Sequence, residues 1–237
     1  MKLGIVGLPN VGKSTLFNAI TDAGAEARNY PFCTIEPNTG IVPVPDERLQ
    51  VLSDLEPSGR IVPSTLKFID IAGLVKGASQ GQGLGNQFLG HIRGVDAIAH
   101  VVRLFQDPDV VHVEGTIDPV GDLETILTEL MLADLEMLEK RRDKAHKLAR
   151  SNDPDAKLEY ETIRDLADQL AEGKTPVYDK ENPKVVELVR SLGLLTVMPA
   201  FVCANTDEEC FRNFDTDPRA ARLKEFAAEH HMEVVPV

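Results

Sequence analysis

Residues 7–14 read GLPNVGKS and match the pattern G-x-x-x-x-G-K-[S/T] between an apolar run and the helix-compatible run STLFNAI. In this pattern glycines let backbone N–H groups surround phosphates, the Lys contacts β- and γ-oxygens, and the Ser hydroxyl binds Mg²⁺. Lys13 is expected to lie in the loop with its side chain facing the solvent. It is also predicted to be a catalytic residue. A Gly-rich turn without a ligand is the alternative. The predicted nucleotide-binding residues here are Asn10, Val11, Gly12, Lys13, Ser14 and Thr15.

The stretch FIDIAGL places Asp70 at the end of a second apolar run, three residues before Gly73. In phosphoryl-transfer sites such an Asp holds Mg²⁺, often through water, and the Gly N–H contacts the γ-phosphate. Alone, Asp-x-x-Gly usually marks a turn, but with the upstream loop it indicates a triphosphate site. The Gly-rich run KGASQGQGLGN that follows suits a segment ordered by the γ-phosphate, or else a flexible surface loop.

The loop NYPFCTIEPNTG lies between the two phosphate motifs, where nucleotide switches keep a Thr that binds Mg²⁺. Thr34 is the predicted metal ligand beside Ser14 and Asp70, with Thr39 as the alternative.

Short apolar runs alternate with helical patterns and predict an α/β sandwich built on a mostly parallel sheet. The runs cover 3–7, 65–71, 96–102, 199–204 and 233–237. From Asp122 to Leu170 apolar residues recur at steps of three and four, which predicts two helical arms that form an inserted antiparallel hairpin. The expected division is a nucleotide-binding domain at 1–121 and 181–237, with the hairpin (coiled coil) at 122–180.

Composition narrows the class of protein. The formal net charge of −13 argues against a chain that coats nucleic acid over its whole surface. The N-terminal MKLGIVGLPN is too short for a signal peptide or membrane span, so a cytoplasmic location without membrane contact is expected. Cys33, Cys203 and Cys210 lack metal-ligand spacing and are interpreted as structural.

Four stretches together resemble the YchF type of Obg-like ATPases: GLPNVGKSTLFNA, YPFCTIEPN, DIAGLVKGAS and an Asn-x-x-Glu at 205–208. The resemblance implies a P-loop NTPase fold with a helical hairpin, and ribosomes as partner. It also implies a C-terminal TGS-type domain and a further base-contacting segment, which this chain, stopping at VVPV, does not include. Asn10 matches the position that binds K⁺ in potassium-activated relatives, so K⁺ is a candidate second cofactor.

The stretch ANTDEE, residues 204–209, indicates which nucleotide base the site would bind. GTP-binding domains carry Asn-Lys-x-Asp here, whereas this chain has Asn205, Thr206 and Glu208. Glu208 extends the carboxylate by one methylene, and Thr206 removes the Lys stem that covers the base. Asn205 can pair with adenine through N6 and N7. ATP is therefore expected to bind at least as well as GTP, with a GTP-specific site as the alternative.

Leu74 occupies the position where many switch GTPases carry the Gln that orients the attacking water. Because Leu cannot bond water, slow intrinsic turnover is expected, with another group positioning the water. His112 is the candidate, although a packed histidine is the alternative, and His91 and His100 are weaker candidates.

The run KRRDKAHKLAR, Lys140 to Arg150, has six Lys or Arg against one acid near the hairpin tip. It suits contact with RNA phosphates, such as ribosomal RNA, or is a solvated helix face. The sequence as a whole predicts a Mg²⁺-dependent hydrolase of ATP or GTP that acts as a switch on ribosomes. A nucleotide-binding module without hydrolysis is the alternative. A small-molecule kinase is disfavoured by DIAGLVKGAS.

Overall fold

A computed structural model describes residues 1–23, 38–56, 59–71, 84–107, 117–151 and 153–237. These residues form a six-stranded sheet in the order β2-β3-β1-β4-β5-β6. Every neighbouring pair is parallel except β2 and β3, which are antiparallel. The strands are β1 (Lys2–Val6), β2 (Thr39–Pro43), β3 (Thr65–Asp70), β4 (Ala97–Arg103), β5 (Ala200–Asn205) and β6 (Val234–Pro236).

Eight helices are found within the described residues. They are α1 (Lys13–Ala23), α2 (Glu47–Leu55), α3 (Leu84–Ile92), α4 (Pro119–Leu148), α5 (Pro154–Ala171), α6 (Pro183–Leu192), α7 (Glu208–Arg212) and α8 (Pro218–Glu229). Proline begins four of them, α4, α5, α6 and α8. Proline favours this position because its missing N–H would have no partner in the first turn. No described helix is both long enough and apolar enough to cross a membrane.

The central strands are buried because helices pack on both faces of the sheet. Successive side chains of β4 point to opposite faces, and its residues from Ile98 to Arg103 are all buried. On one face α4 and α8 pack together, and Leu123 of α4 shares a core with Val202 of β5 and Leu223 of α8. This double burial gives the near-continuous apolar runs that mark the strands in the sequence.

The segment between β4 and β5 contains a helical pair. The part of α4 from Met131 to Ala145 and the length of α5 share a core that includes Leu138 and Ile163. Arg141 of α4 forms an ion pair with Glu159 of α5, at 3.1 Å. Helix α6 contributes Val185 to the same core.

The sequence prediction of the fold class is confirmed, and five of the six strands were expected. Strand β2 was missed because TGIVP is short, contains Gly and ends in Pro. Such a composition is tolerated at the edge of a sheet, and among the described strands β2 pairs with β3 alone. Cys203 and Cys210 are buried and free. Burial raises the pKa of both thiols to about 11, which fits a structural role.

Candidate functional site

The loop between β1 and α1 has a backbone that only a few residue types tolerate. Asn10 has φ 63° and Gly12 has φ 95°, both in the left-handed region. A Cβ added at Gly7 would lie 2.5 Å from the carbonyl oxygen of Val101 on β4. Glycine at 7 is therefore required by the close approach of another strand, and Gly12 by its dihedral angle. The loop ends where α1 begins, and the first N–H groups of a helix have no partner within the helix, so they can bind an anion.

Lys13 is buried rather than solvent-facing, which corrects the expectation from the sequence. Its side chain is only 8% exposed, and Nζ donates a hydrogen bond of 2.7 Å to the carbonyl oxygen of Leu8. Burial lowers the pKa of Lys13, and the nearby negative charge of Asp70 partly offsets this effect. The loop thus encloses the ammonium group instead of leaving it on a mobile stem.

Ser14 and Asp70, which are 56 residues apart in the sequence, meet at the carboxyl ends of the sheet strands. Ser14 Oγ donates a hydrogen bond of 2.8 Å to Asp70 Oδ2. The contact arises because β1 and β3 are parallel neighbours, with Ile5 aligned with Asp70. The backbone N–H of Asp70 also donates to the carbonyl oxygen of Asn38, just before β2.

These two side chains offer the hydroxyl and carboxylate oxygens that Mg²⁺ prefers. Over the part of the chain that the structure describes, no cluster of three or more His, Cys, Asp or Glu could hold a metal by itself. A Mg²⁺ ion at Ser14 and Asp70 would therefore need further oxygens from phosphate groups and water. This donor set fits a metal that is bound together with a nucleotide.

Asn205, at the end of β5, is fastened to the phosphate loop. Its Nδ2 donates a hydrogen bond of 2.9 Å to the carbonyl oxygen of Val11. A Cβ at Gly12 would lie 2.2 Å from the same nitrogen. Only a residue without a side chain therefore allows the amide to approach the loop. The bond uses one of the two amide N–H groups, which leaves the oxygen and the other N–H as potential contacts for a base.

Thr206 and Glu208 both engage nearby groups of the protein. The backbone N–H and the Oγ1 of Thr206 donate to the carbonyl oxygen of Val237, at 2.9 and 3.0 Å. Glu208 is the first residue of α7. Its side chain is 89% exposed and forms an ion pair of 3.2 Å with Arg212 one turn later.

Sequence reasoning missed the turn after β4. Arg103 is buried and donates to the carbonyl oxygens of Phe105 and Asp107, both at 3.1 Å. Its guanidinium carbon lies 4.3 Å from the centre of the Phe105 ring. The N–H of Phe105 donates to the carbonyl oxygen of Asn205, and a Cβ at Gly12 would lie 4.0 Å from the Phe105 ring. An aromatic side chain thus borders the loop beside Asn205. No motif in the sequence indicates it.

The remaining predicted residues are distributed as follows. Val11 is buried, Thr15 is exposed in the first turn of α1, and Thr39 begins β2, where it pairs with Ile69. His91 is exposed near the end of α3, and His100 is buried within β4. Four predicted site residues and one cysteine lie outside the described residues, namely Thr34, Gly73, Leu74, His112 and Cys33.

The comparisons with known proteins agree with this geometry. A family model described as 50S ribosome-binding GTPase matches residues 2–141. The chain is 51% identical over 234 residues to a protein of Bacillus subtilis named ribosome-binding ATPase YchF. It is 50% identical over 239 residues to the protein of the same name from Haemophilus influenzae. The alignments cover 99% and 100% of this chain and 64% of each relative.

A solved structure of the Schizosaccharomyces pombe YchF GTPase has a similar fold. It superimposes with a TM-score of 0.83 at 41% sequence identity, covering 100% of this chain and 65% of that chain. The chain therefore spans about two thirds of the length of the relatives that it matches, and over that span the fold is that of a P-loop GTPase domain. The identity across the whole chain, together with the shared fold, shows that the chain belongs to the YchF family.

Proposed function

We propose that this chain is the catalytic part of a Mg²⁺-dependent nucleoside triphosphate hydrolase. The observation that carries the proposal is the 2.8 Å hydrogen bond between Ser14 and Asp70. It joins the phosphate-loop hydroxyl to the strand-end carboxylate, the two groups that hold Mg²⁺ in P-loop hydrolases. In this proposal Lys13 and the loop N–H groups bind the β- and γ-phosphates, Gly73 contacts the γ-phosphate, and Thr34 completes the metal site. Mg²⁺ would neutralise charge on the phosphates.

Phosphate release from ATP, measured with Mg²⁺ and again with excess EDTA, tests this activity. The 237-residue chain should release phosphate only with Mg²⁺, and Asp70→Asn should greatly reduce the rate. If the chain binds ATP but releases no phosphate even with ribosomes present, it is a nucleotide-binding module instead.

The proposal of slow turnover rests on Leu74. If His112 positions the water, His112→Ala should lower kcat more than it weakens ATP binding.

We further propose that ATP binds at least as well as GTP. Guanine is read in Asn-Lys-x-Asp by a carboxylate that accepts from its N1–H and 2-amino groups. Glu208, by contrast, lies on the surface beside Arg212, and Thr206 is bonded to the carbonyl of Val237. The oxygen and the second N–H of the Asn205 amide form no hydrogen bond with any described residue, and these two groups suit adenine N6 and N7. The relatives include both kinds of name, since the Bacillus subtilis and Haemophilus influenzae proteins are named ATPases and the Schizosaccharomyces pombe protein is named a GTPase.

Titration of ATP and GTP into two proteins tests the base preference. The unaltered chain should bind ATP with a Kd equal to or below that for GTP. The double variant Thr206→Lys with Glu208→Asp should shift the ratio of the two Kd values toward GTP. Arg212→Gln is the matched control, because it frees Glu208 without changing the motif. A clear GTP preference in the unaltered chain would contradict the proposal.

Asn10 supports a proposal for K⁺ as a second cofactor. Its backbone is in the left-handed region, with φ 63°, within the phosphate loop. In the proposed arrangement the Asn10 side-chain oxygen would help to hold K⁺ beside the phosphates. Hydrolysis should then be faster in KCl than in NaCl at equal ionic strength, and Asn10→Asp or Asn10→Ala should change the ratio. Equal rates in both salts would remove K⁺ from the mechanism.

Ribosomes are the proposed partner, as the names of the relatives suggest. We place the contact at the end of the helical pair, where α4 ends with the basic run. There Lys140 is paired with Glu136, and Arg141 with Glu159. Over the described residues no ion pair involves Lys144 or Lys147, and both are exposed. These two lysines are therefore available to RNA phosphates.

The double variant Lys144→Gln with Lys147→Gln should weaken ribosome binding and reduce its dependence on salt, because fewer counterions are released. Arg190→Gln with Arg222→Gln is the control, since both residues are exposed and the change in net charge is the same. Co-sedimentation with ribosomes at several salt concentrations measures both. Equal salt slopes for the two variants would assign the run to a solvated helix face. ATP hydrolysis without ribosomes should be the same in both.

A further inference from the structure

Helix α2 (Glu47–Leu55) lies outside the core of the protein, because none of its residues is buried. Twelve large apolar side chains are exposed among the described residues, and five of them lie on α2 or between α2 and β3. These five, here called the α2 patch, are Val51, Leu52, Leu55, Ile61 and Val62, with exposed fractions from 39% to 74%. Single exposed apolar side chains are normal on a protein surface, but a group of them marks a contact surface.

On α2 itself the apolar residues form a stripe. Val51 and Leu55 are about one helical turn apart, and Leu52 is adjacent to Val51. Arg48 precedes Val51 by three residues and Leu52 by four, so all four side chains lie along one face of the helix. All four are exposed, whereas Leu49, on the other face, is half-buried. The exposed face thus begins with a positive charge and continues with three apolar side chains.

The helix and the segment after it are held in a defined position. Asp46 caps α2 by accepting a hydrogen bond of 3.1 Å from a backbone N–H of the first turn. Where the connection between β2 and β3 begins and ends, the N–H of Val44 donates to the carbonyl oxygen of Ser64, at 2.8 Å. A cavity of about 270 Å³ is lined by Leu49 of α2 and by Ile61, so the helix and the following segment border one another.

The charges around the stripe suit a second copy of the same surface. Arg48 lies at one end of the stripe, and Asp54 and Glu56 flank Leu55 at the other end. The stripe is symmetric about a centre between positions 51 and 52, so two copies can pair with their α2 helices antiparallel. Arg48 of one copy then lies opposite Leu55 of the second copy, beside its two acidic residues. Two-fold symmetry forms this contact twice.

The existing bonds of these charged groups do not prevent such a contact. Arg48 forms an ion pair with Asp46 at 2.7 Å, but its side chain is 87% exposed. Asp54 accepts a hydrogen bond of 2.8 Å from Gln50, and both of these residues are exposed. Exposed pairs of this kind contribute little to stability, so Arg48 can exchange its partner at low cost.

The same charges disfavour other occupants of the α2 patch. Helices that bind membrane surfaces carry Lys and Arg on their polar face, whereas α2 has one Arg against Glu47 and Asp54. A purely basic protein segment would pair with the acidic end of the stripe but would be repelled by Arg48 at the other end. A copy of α2 in antiparallel orientation matches both ends.

We propose that the α2 patch is a self-association surface, at which two copies of the chain pair through their α2 helices in antiparallel orientation. The apolar stripe excludes water at the centre of the contact, and the charges at its ends set the orientation. Stable dimers bury about 800 Å² per partner, and a helix of nine residues is only about 14 Å long. The dimer is therefore weak, with a Kd of about 1–100 µM.

Sedimentation velocity of the 237-residue chain at concentrations below and above this Kd measures the association. Without nucleotide, so that the result does not depend on hydrolysis, the unaltered chain should shift from monomer to dimer. Leu52→Glu with Leu55→Glu should weaken the association at least about tenfold, because it places like charges in the contact. Leu148→Glu with Val177→Glu is the matched control, since it changes two exposed apolar residues elsewhere by the same charge. The control should associate like the unaltered chain.

Two charge reversals test the orientation of the helices. Arg48→Glu and Asp54→Arg should each weaken association about tenfold, because each opposes like charges at both ends of the stripe. An equimolar mixture of the two proteins should associate again. In the mixed dimer the introduced acid meets the introduced base, and the remaining Arg48 meets the remaining Asp54.

Three results would overturn the proposal. The first is an unaltered chain that remains monomeric over the whole concentration range. The second is an equal loss of association in the patch variant and its control. The third is a mixture of the two charge reversals that associates no better than either protein alone. Circular dichroism of every variant checks that the fold is retained, as expected for substitutions of exposed side chains.

Discussion

The two ends of the parallel strands, here called the carboxyl edge and the amino edge of the sheet, use polar side chains in opposite ways. At the carboxyl edge, three of them are bonded within the site, since Lys13 donates to Leu8, Ser14 to Asp70 and Asn205 to Val11. At the amino edge, His100 Nδ1 has no partner among the described residues. The first edge is pre-organised for ions by its backbone and by mutual hydrogen bonds. At the second edge, two buried polar atoms, His100 Nδ1 and Asp134 Oδ1, lack a hydrogen-bond partner among the described residues.

The largest expected effect concerns Lys13. Lys13→Met keeps the buried aliphatic stem but removes the ammonium group, and hydrogen bonds to charged groups contribute about 1.5–3 kcal/mol each. ATP affinity should therefore fall about 100-fold or more. Isothermal titration with Mg-ATP measures the loss, and circular dichroism checks that the protein remains folded. Unchanged affinity would show that the carboxyl edge does not bind phosphates through this residue.

His100 provides a test at the amino edge. Burial holds its pKa near 4, below the ordinary 6.5, so the neutral form is favoured in the folded state. Stability from this group is complete above about pH 6.5 and is lost as the pH falls toward 4. The loss should reach about 3 kcal/mol.

The measurement is the free energy of unfolding in urea between pH 7 and pH 4 for the unaltered chain and for His100→Leu. The difference between the two proteins should change with pH across that window. Burial also lowers the pKa of His230, but this residue is present in both proteins and so does not affect the difference. A constant difference would mean that His100 is solvated in the folded state.

A smaller effect is expected at Gly12. Gly12→Ala places a Cβ 2.2 Å from Asn205 Nδ2 at a φ of 95°. It should lower the free energy of unfolding by about 1–3 kcal/mol and disrupt the contact between Asn205 and the loop.

Gly90→Ala in α3 is the matched control, because no described atom outside the backbone of the helix itself lies within 4 Å of its added Cβ. Alanine is also the better helix former there, so this variant should gain up to about 1 kcal/mol. Urea unfolding and ATP titration of both variants measure the two effects. If the two variants lose equal stability, the loop at Gly12 does not require glycine.

Much of the carboxyl edge could be predicted from the sequence because its constraints are local. The glycine spacing in GLPNVGKS and the apolar runs before it and before Asp70 place a phosphate loop and a carboxylate at strand ends. Parallel strands bring their carboxyl ends to one edge, so proximity of Ser14 and Asp70 follows from pattern alone. The contact of Asn205 with Val11 does not follow, since the two lie 194 residues apart.

The sequence by itself determined the phosphate loop, the sheet class and the helical pair, because each depends on short-range spacing and periodicity. Only the tertiary structure decided that Lys13 is buried, that Arg103 places Phe105 beside the loop, and that His100 is buried on β4. Burial and the pairing of polar atoms depend on which distant segments pack together, and a single sequence does not record those contacts. The same physical reason applies to β2, whose irregular composition becomes a strand only because β3 offers it an edge.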